Sequence, residues 1–488
     1  MPSADGPLGR TEADRLFAPL AGFRRLAVAV SGGADSTALA LLLAEWSARR
    51  PGAEPPVVLT VDHGLRAESG IEALAVLRFA DRLSLPARSL VWRGDKPAAN
   101  LQDAARRARY RLLLAAAIRA GCDGLVTAHT LDDQAETLLL NLARGSGVHG
   151  LAAMPSVRRL GPVALLRPLL SVPKRRLVAT LETRGLDWIE DPSNRSERFA
   201  RVRVRGLLAS AGAFGLSPER LALTAEHMAA AAGALDTATS AVLADALIHP
   251  GGFARIARAA LASAPDIVRL RALGSLIRHA GGAGPGPRAE RLQALGASIA
   301  AGTALTRRTL GGALIRPDGD DLWFLRETGR SDRSPVPLVP AVGVLWDGRF
   351  AVGTSDGPGL PLTVGDLGRA DAKRLVAARD LGLPAFALDA VPAIRRGESL
   401  VGVPAFGMAE VPDVTVVALP PGLSELVAAA PGDPDSAAIL AAVLADAARP
   451  ARRSDPFPAA VGPNVTIPSS ERTSEVRSTW LSPVHDLF

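Results

Sequence analysis

The stretch that most constrains this chain is Leu26-Ala27-Val28-Ala29-Val30, followed by Ser31-Gly32-Gly33-Ala34-Asp35-Ser36-Thr37. A short apolar run with β-branched residues predicts a buried parallel strand. Two glycines then allow a tight turn and a close approach of backbone to ligand, with no Cβ in the way. Ala38 to Trp46 reads as a helix, so its free N–H groups and positive dipole end point back at the turn, beside the hydroxyls of Ser31, Ser36 and Thr37. The segment is an anion cradle in an α/β fold. It matches neither the phosphate loop ending in Gly-Lys-Ser/Thr nor the G-x-G-x-x-G dinucleotide turn, because Asp35 stands where a cation is expected. An acidic residue beside phosphates makes sense if a divalent metal bridges the two. The alternative is a glycine-rich turn with no ligand.

At 488 residues the chain exceeds a single core and predicts about two to four domains. No apolar run approaches membrane-span length, and Met1–Arg10 lacks the regions of a signal peptide, so a cytoplasmic protein without a membrane partner is expected. The single cysteine, Cys122, excludes an internal disulfide and Cys-x-x-Cys chemistry, and its place beside Gly121 suggests packing. A net charge of +7 invites a polyanionic partner. Yet only Lys96, Lys174 and Lys373 among 56 basic residues are lysines. With so much Ala, Gly and Pro, that arginine bias also fits nucleotide composition.

From Phe23 to Trp188, apolar strands alternate with helices, the pattern of a parallel sheet with helices on both faces. Val57–Val61 ends at Asp62-His63-Gly64-Leu65-Arg66. Ligands of open α/β sheets lie beyond the carboxyl ends of the strands, so Asp62, His63 and Arg66 should share a rim with Ser31–Thr37. After a helix at Glu68–Leu83 and a strand at Ala87–Trp92, Asn100 can cap a helix reaching Ala120. That helix carries Arg106, Arg107, Arg109, Tyr110 and Arg111, with Arg107 and Arg111 read as a solvated face.

Strand Leu125–Ala128 leads into His129-Thr130-Leu131-Asp132-Asp133-Gln134-Ala135-Glu136-Thr137, with Thr130 capping a helix to Ala143. Asp133 and Glu136 share one face, as do Asp132 and Glu136. Acidity at a helix start is ordinary dipole compensation. Three carboxylates with His129 exceed that need and could hold a metal or a cationic substrate. Arg144–Gly147 is a turn, Arg167-Pro168-Leu169-Leu170 follows, and Pro173–Arg184 is helical. Asp191-Pro192-Ser193-Asn194 reads as a turn, and Arg201 and Arg205 share a helical face.

S-G-G-x-D-S resembles the pyrophosphate loop (PP-loop) of the N-type ATP pyrophosphatases. Six segments in order resemble the tRNA(Ile)-lysidine synthases across about residues 23–210: Ser31–Ser36, Asp62–Arg66, Arg109-Tyr110, His129–Glu136, Arg167–Leu170 and Asp191–Asn194. The resemblance implies an α/β PP-loop domain, similar to adenine nucleotide alpha hydrolases, in a ligase that cleaves ATP between its α- and β-phosphates. Under it Ser31, Gly32, Gly33, Ala34, Asp35 and Ser36 bind ATP, with Asp35 near Mg2+. Asp35, Arg109, His129, Asp133 and Glu136 are the catalytic set, and Asp62, His63, Arg66, Asp132, Arg201 and Arg205 lie on the rim. The implied partners are free L-lysine and a tRNA(Ile) with a CAU anticodon, whose wobble cytidine is adenylated and then converted to lysidine, changing its reading from AUG to AUA. A homodimer is compatible with the family. One departure falls at Arg201-Val202, where many relatives carry Arg-Asn.

Two rivals are another PP-loop tRNA-modifying enzyme, such as a thiolase, and a basic RNA-binding protein with an inactive nucleotide site. A lone Cys122 argues against the first. The intact Ser31, Asp35, Ser36, Asp133 and Glu136 argue against the second.

The expected domains are a catalytic domain over 1–212, a helical tRNA-binding domain over 213–330, a small mixed α/β domain over 341–416 and a mostly disordered tail over 417–488. In the second, Ser217-Pro218 is a good helix start, helices are expected over 218–247, 254–263, 265–280 and 287–301, and strands near 313–316 and 322–326. In the third, Arg395 and Arg396 at a turn suit phosphate contact or a solvated turn. The tail carries one expected helix, Ser436–Ala448.

Overall fold

Leu26–Ala29 forms β1, and Ala27 and Val28 are wholly buried, as an apolar run in mid-sheet requires. The computed structural model describes residues 5 to 448 except 67, 94, 95, 98, 191–199, 283, 285, 330–332, 356–360, 410–413 and 431. It divides into two compact units, one up to Ala234 and one from Leu235.

The first unit opens with α1 (Arg10–Phe17) and continues from β1 into α2 (Ala34–Ala48). It then alternates β2 (Val57–Asp62), α3 (Ser69–Arg82), β3 (Ala87–Val91), α4 (Leu101–Arg119), β4 (Gly124–Val126) and α5 (Leu131–Ala143). A short α6 (Val148–Leu151), the hairpin β5 (Val157–Leu160) and β6 (Val163–Leu166), and helices α7 (Lys174–Thr183), α8 (Ala200–Ala211) and α9 (Pro218–Leu243) follow. The sheet order is β3-β2-β1-β4-β6-β5, with β5 antiparallel at the edge and every other pairing parallel. Successive strands step away from β1 in one direction, and the chain then crosses to β4 on its other side. That reversal opens a crevice beyond the carboxyl ends of β1 and β4. α2 is buried almost all round, packed by α1 and α7, so the loop before it rests on an immobile base.

Asn100 does not cap α4. Its φ is +53° and its side chain makes no cap hydrogen bond. Arg111, expected in a solvated face, is only 7% exposed, because the helix buries that side against the sheet. Thr130 does cap α5, accepting from the Asp133 N–H while Asp133 Oδ2 accepts from the Thr130 N–H at 2.9 Å. Asp191–Asn194 lies outside the described residues.

In the second unit, β7 (Leu247–His249) and β8 (Phe253–Ala257) precede α10 (Arg258–Ser263), α11 (Asp266–Gly281) and α12 (Ala289–Ala300). They join β9 (Arg308–Leu310), β10 (Ala313–Asp318) and β11 (Asp321–Arg326) in a five-stranded sheet of order β7-β8-β11-β10-β9. The helix expected over 254–263 therefore starts at Arg258. Five residues are too few to reveal their period, and pairing of Ala254–Ala257 with Asp321–Phe324 decides for strand. From Leu247 onward helix α11 packs on this sheet, against β10 and β11.

Next come β12 (Val336–Pro337), β13 (Val344–Trp346), β14 (Phe350–Thr354), β15 (Leu362–Asp366), α13 (Arg369–Arg379) and α14 (Ala385–Leu388). They are followed by β16 (Pro392–Arg396), β17 (Ser399–Val403), β18 (Met408–Ala409) and β19 (Val414–Ala418), making a five-stranded and a three-stranded sheet. Arg395 donates to Leu367 O and to Asp371 Oδ2 at 2.6 Å, so it braces its own sheet. Ordered structure continues past residue 417 through α15 (Pro421–Ala428) and α16 (Pro434–Ala447), the latter capped by Asp433. Leu423, Leu426, Ile439 and Leu440 are buried; residues 449–488 lie outside the described residues. No helix among the described residues is long and apolar enough to cross a membrane.

Candidate active site

The loop between β1 and α2 is built by its own hydroxyls. Ser36 Oγ accepts from the Ser31 N–H at 3.1 Å and donates to Gly33 O at 3.0 Å, and Thr37 Oγ1 donates to Gly32 O at 3.2 Å. Gly32 has φ +86°, and a Cβ there would sit 2.6 Å from Ile189 Cδ1. Ile189 also donates its N–H to Gly32 O at 2.9 Å, which clamps the turn. No side chain caps α2, so its first-turn N–H groups face the cradle as the anion reading requires.

Asp35 is the first residue whose surroundings were not legible in the sequence. One carboxylate oxygen lies 3.3 Å from Lys174 Nζ, and Oδ1 is buried without a hydrogen-bond partner. Burial raises its pKa, Lys174 opposes the shift, and the charges of Asp133 and Asp132 add to it. Asp132 Oδ2 in turn accepts the Lys174 backbone N–H at 2.7 Å, tying the start of α7 to the start of α5.

On the β2 side, Asp62 Oδ1 accepts from the Gly64 N–H and from Ser69 Oγ, at 2.8 and 2.5 Å. The Ser69 bond chiefly lowers its pKa, and the residue acts as the builder of the turn that presents His63. His63 meets the Trp92 ring edge-on at 6.4 Å, and Lys96 Nζ lies 3.9 Å from the centre of the same ring. The His63 Nδ1 is buried without a partner, and burial, with Arg109 next, lowers its pKa. Arg66 pairs with Glu72 at 3.0 Å.

Behind these lies a cationic wall. Tyr110 is buried, with the guanidinium carbons of Arg106 and Arg109 at 5.2 and 5.4 Å from its ring centre. Arg167, at the end of β6, is buried too, donates to Pro155 O at 2.9 Å and leaves its Nε without a partner. Burial raises the Tyr110 pKa, but Arg106, Arg109 and Arg167 together outweigh it and bring the phenol down to about 8. His129 bonds Thr127 Oγ1 through Nδ1 at 3.0 Å. Burial, then Arg167, Arg106, Arg109 and Arg201, hold its pKa well below the usual imidazole range, so the ring is neutral.

Two of the expected carboxylates face arginines of α8. Glu136 is 2% exposed and makes a two-pronged ion pair with Arg205, while Arg201 Nη1 lies 3.7 Å from Asp133 Oδ1. Burial raises the Glu136 pKa and Arg205 resists. Gln134 exchanges hydrogen bonds with the Met154 backbone at 2.9 and 2.8 Å, which fixes the loop after α6.

Residues 9–211 match the PP-loop domain family. A curated tRNA(Ile)-lysidine synthase from Methylobacterium nodulans is 47% identical over 343 residues, covering 68% of this chain and 99% of that protein. The namesake protein of Ruegeria pomeroyi is 40% identical over 389 residues, covering 79% and 90%. The chain belongs to the tRNA(Ile)-lysidine synthase family. It is accordingly an ATP-using ligase of the PP-loop class. The structure of this lysidine synthase family member brings Asp35, Asp132 and Lys174 to one side of the crevice, and His63, Arg109, Tyr110, His129 and Arg167 to another. Among the described residues, no three His, Cys, Asp or Glu side chains could hold a metal by themselves. Asp35 alone, with one buried unpaired oxygen, fits a Mg2+ that draws its other ligands from phosphates and water.

Proposed function

We propose that this chain joins free L-lysine to C2 of the wobble cytidine of a tRNA(Ile) bearing a CAU anticodon, at the expense of ATP. In this reading the Ser31–Ser36 loop holds the triphosphate, and Mg2+ at Asp35 would neutralise phosphate charge. The cytidine C2 oxygen attacks the α-phosphorus, forming an O–P bond as the bond to the β-phosphate oxygen breaks and pyrophosphate leaves. The lysine ε-nitrogen, after losing a proton, attacks C2 of the adenylated base, and the C2–O bond breaks to release AMP. The observation that carries the reading is the gathering, at the crevice between β1 and β4, of an uncapped helix start with three buried polar atoms lacking protein partners: Asp35 Oδ1, His63 Nδ1 and Arg167 Nε.

Charge supports the division of labour. Arg106, Arg109 and Arg167 suit the negative charge that grows on the α-phosphate. A His129 held neutral suits orienting the substrate by hydrogen bonding without adding another positive charge to the wall. Asp133 and Glu136 are the acceptors available for an ammonium, which would take over from Arg201 and Arg205. A thiolase reading finds little support, since burial pushes the Cys122 thiol up to about 11.

The test is incorporation of labelled lysine into a tRNA(Ile) transcript with a CAU anticodon. Incorporation should require both ATP and Mg2+ and should fail on an initiator methionine tRNA with the same anticodon. No incorporation into a verified, correctly folded transcript would overturn the proposal.

A further inference from the structure

Lys174 is the first residue of α7, preceded by Pro173 and with no side-chain cap at that helix end. Its main chain is held by Asp132, while its side chain is 49% exposed and ends 3.3 Å from Asp35 Oδ2. An ion pair this exposed contributes little to the fold. It does place a flexible cation over the loop, beside the positive end of a second helix. Resting on the ATP reading above, we propose that Lys174 is a positioning residue for the triphosphate, with an ammonium that exchanges Asp35 for the oxygens of the outgoing pyrophosphate.

The residue type fits that exchange. In a chain with three lysines among 56 basic residues, this position carries an ammonium, a point charge on a four-carbon stem. A guanidinium would grip Asp35 in a planar fork and let go less readily. Position agrees as well. Arg106, Arg109 and Arg167 cluster around Tyr110 and His129, whereas Lys174 reaches Asp35 in the first turn of α2. The two sets of cations would therefore serve different phosphates, the cationic wall the reacting α-phosphate and Lys174 the pair that leaves.

Equilibrium titrations of the full chain with ATP and with AMP, in the presence of Mg2+, test this. Lys174→Met should raise the Kd for ATP by about tenfold or more and leave the Kd for AMP unchanged, since AMP lacks the phosphates concerned. Lys174→Arg should recover part of the ATP affinity. In lysine incorporation, KM for ATP should rise while KM for lysine holds. Equal weakening of ATP and AMP would reveal a merely structural role, and no change in either would remove the role altogether; both overturn the inference. A wild-type chain that binds neither nucleotide overturns the ATP reading itself, so the two failures are separable.

Discussion

Glu136 offers the sharpest test at the scale of a single residue. It is almost wholly buried, yet its partner Arg205 is 43% exposed and can turn to water if the pair is broken. Glu136→Gln keeps the shape and removes the charge. We expect KM for lysine to rise by about tenfold or more, equivalent to about 1.4 kcal/mol, with KM for ATP little changed; steady-state incorporation with each substrate varied in turn checks the split. A larger effect on ATP would place Glu136 on the wrong substrate. The sequence made Asp35, His129, Asp133 and Glu136 legible because each follows a strand end within a distinctive run. It could not show that Lys174, 139 residues after Asp35 in chain number, meets it, since that contact depends on how α5 and α7 pack. The only hint was a lysine where arginine is the rule.

The individual elements show where local patterns suffice. Thr130 and Ser217 announce helix starts because cap chemistry is local, and α5 and α9 begin as expected. Asn100 fails as a cap because it adopts a left-handed backbone, and β8 escapes a local reading because β11, one of its two partner strands, lies over sixty residues away. The loop before α2 allows a prediction of its own. Gly32→Ala puts a Cβ on a left-handed residue, costing about 1–2 kcal/mol, and presses it against Ile189. Thermal unfolding should shift down by a few degrees, and ATP titration should show a larger loss than the stability change explains. Retention of full ATP affinity would mean that the turn tolerates reshaping and is not the nucleotide cradle.

At the scale of the whole molecule, the second unit has its own response to acid. His249 stacks between Phe253 and Phe406, at 4.4 and 4.7 Å, and His279 Nε2 bonds the carbonyls of His249 and Phe253. Burial pushes both rings from 6.5 down to about 4; the charge of His279 adds to this at His249, and that of Arg349 at His279, where the two carbonyl bonds oppose it. Each ring then binds fewer protons folded than unfolded between those values. Their contribution is complete above about pH 6.5 and is lost as pH falls toward 4, on the order of 3 kcal/mol per ring at most. Denaturant unfolding followed from pH 7 to 4.5 should show this decline, and His279→Gln should flatten it. An unchanged slope in that variant would assign the acid response to other groups.

The position of β1 has a consequence for how the protein is made. Its neighbours are β2 and β4, with Leu26 lying opposite Gly124. On a ribosome, the glycine loop is synthesised early but hangs from an unfinished strand until about a hundred further residues have emerged. Until then β1 presents an unpaired apolar edge, the kind of surface that recruits other nascent chains or chaperones. Nucleotide can be gripped only once β4 has closed that edge, so a fragment ending before Gly124 should bind no ATP despite carrying the whole loop.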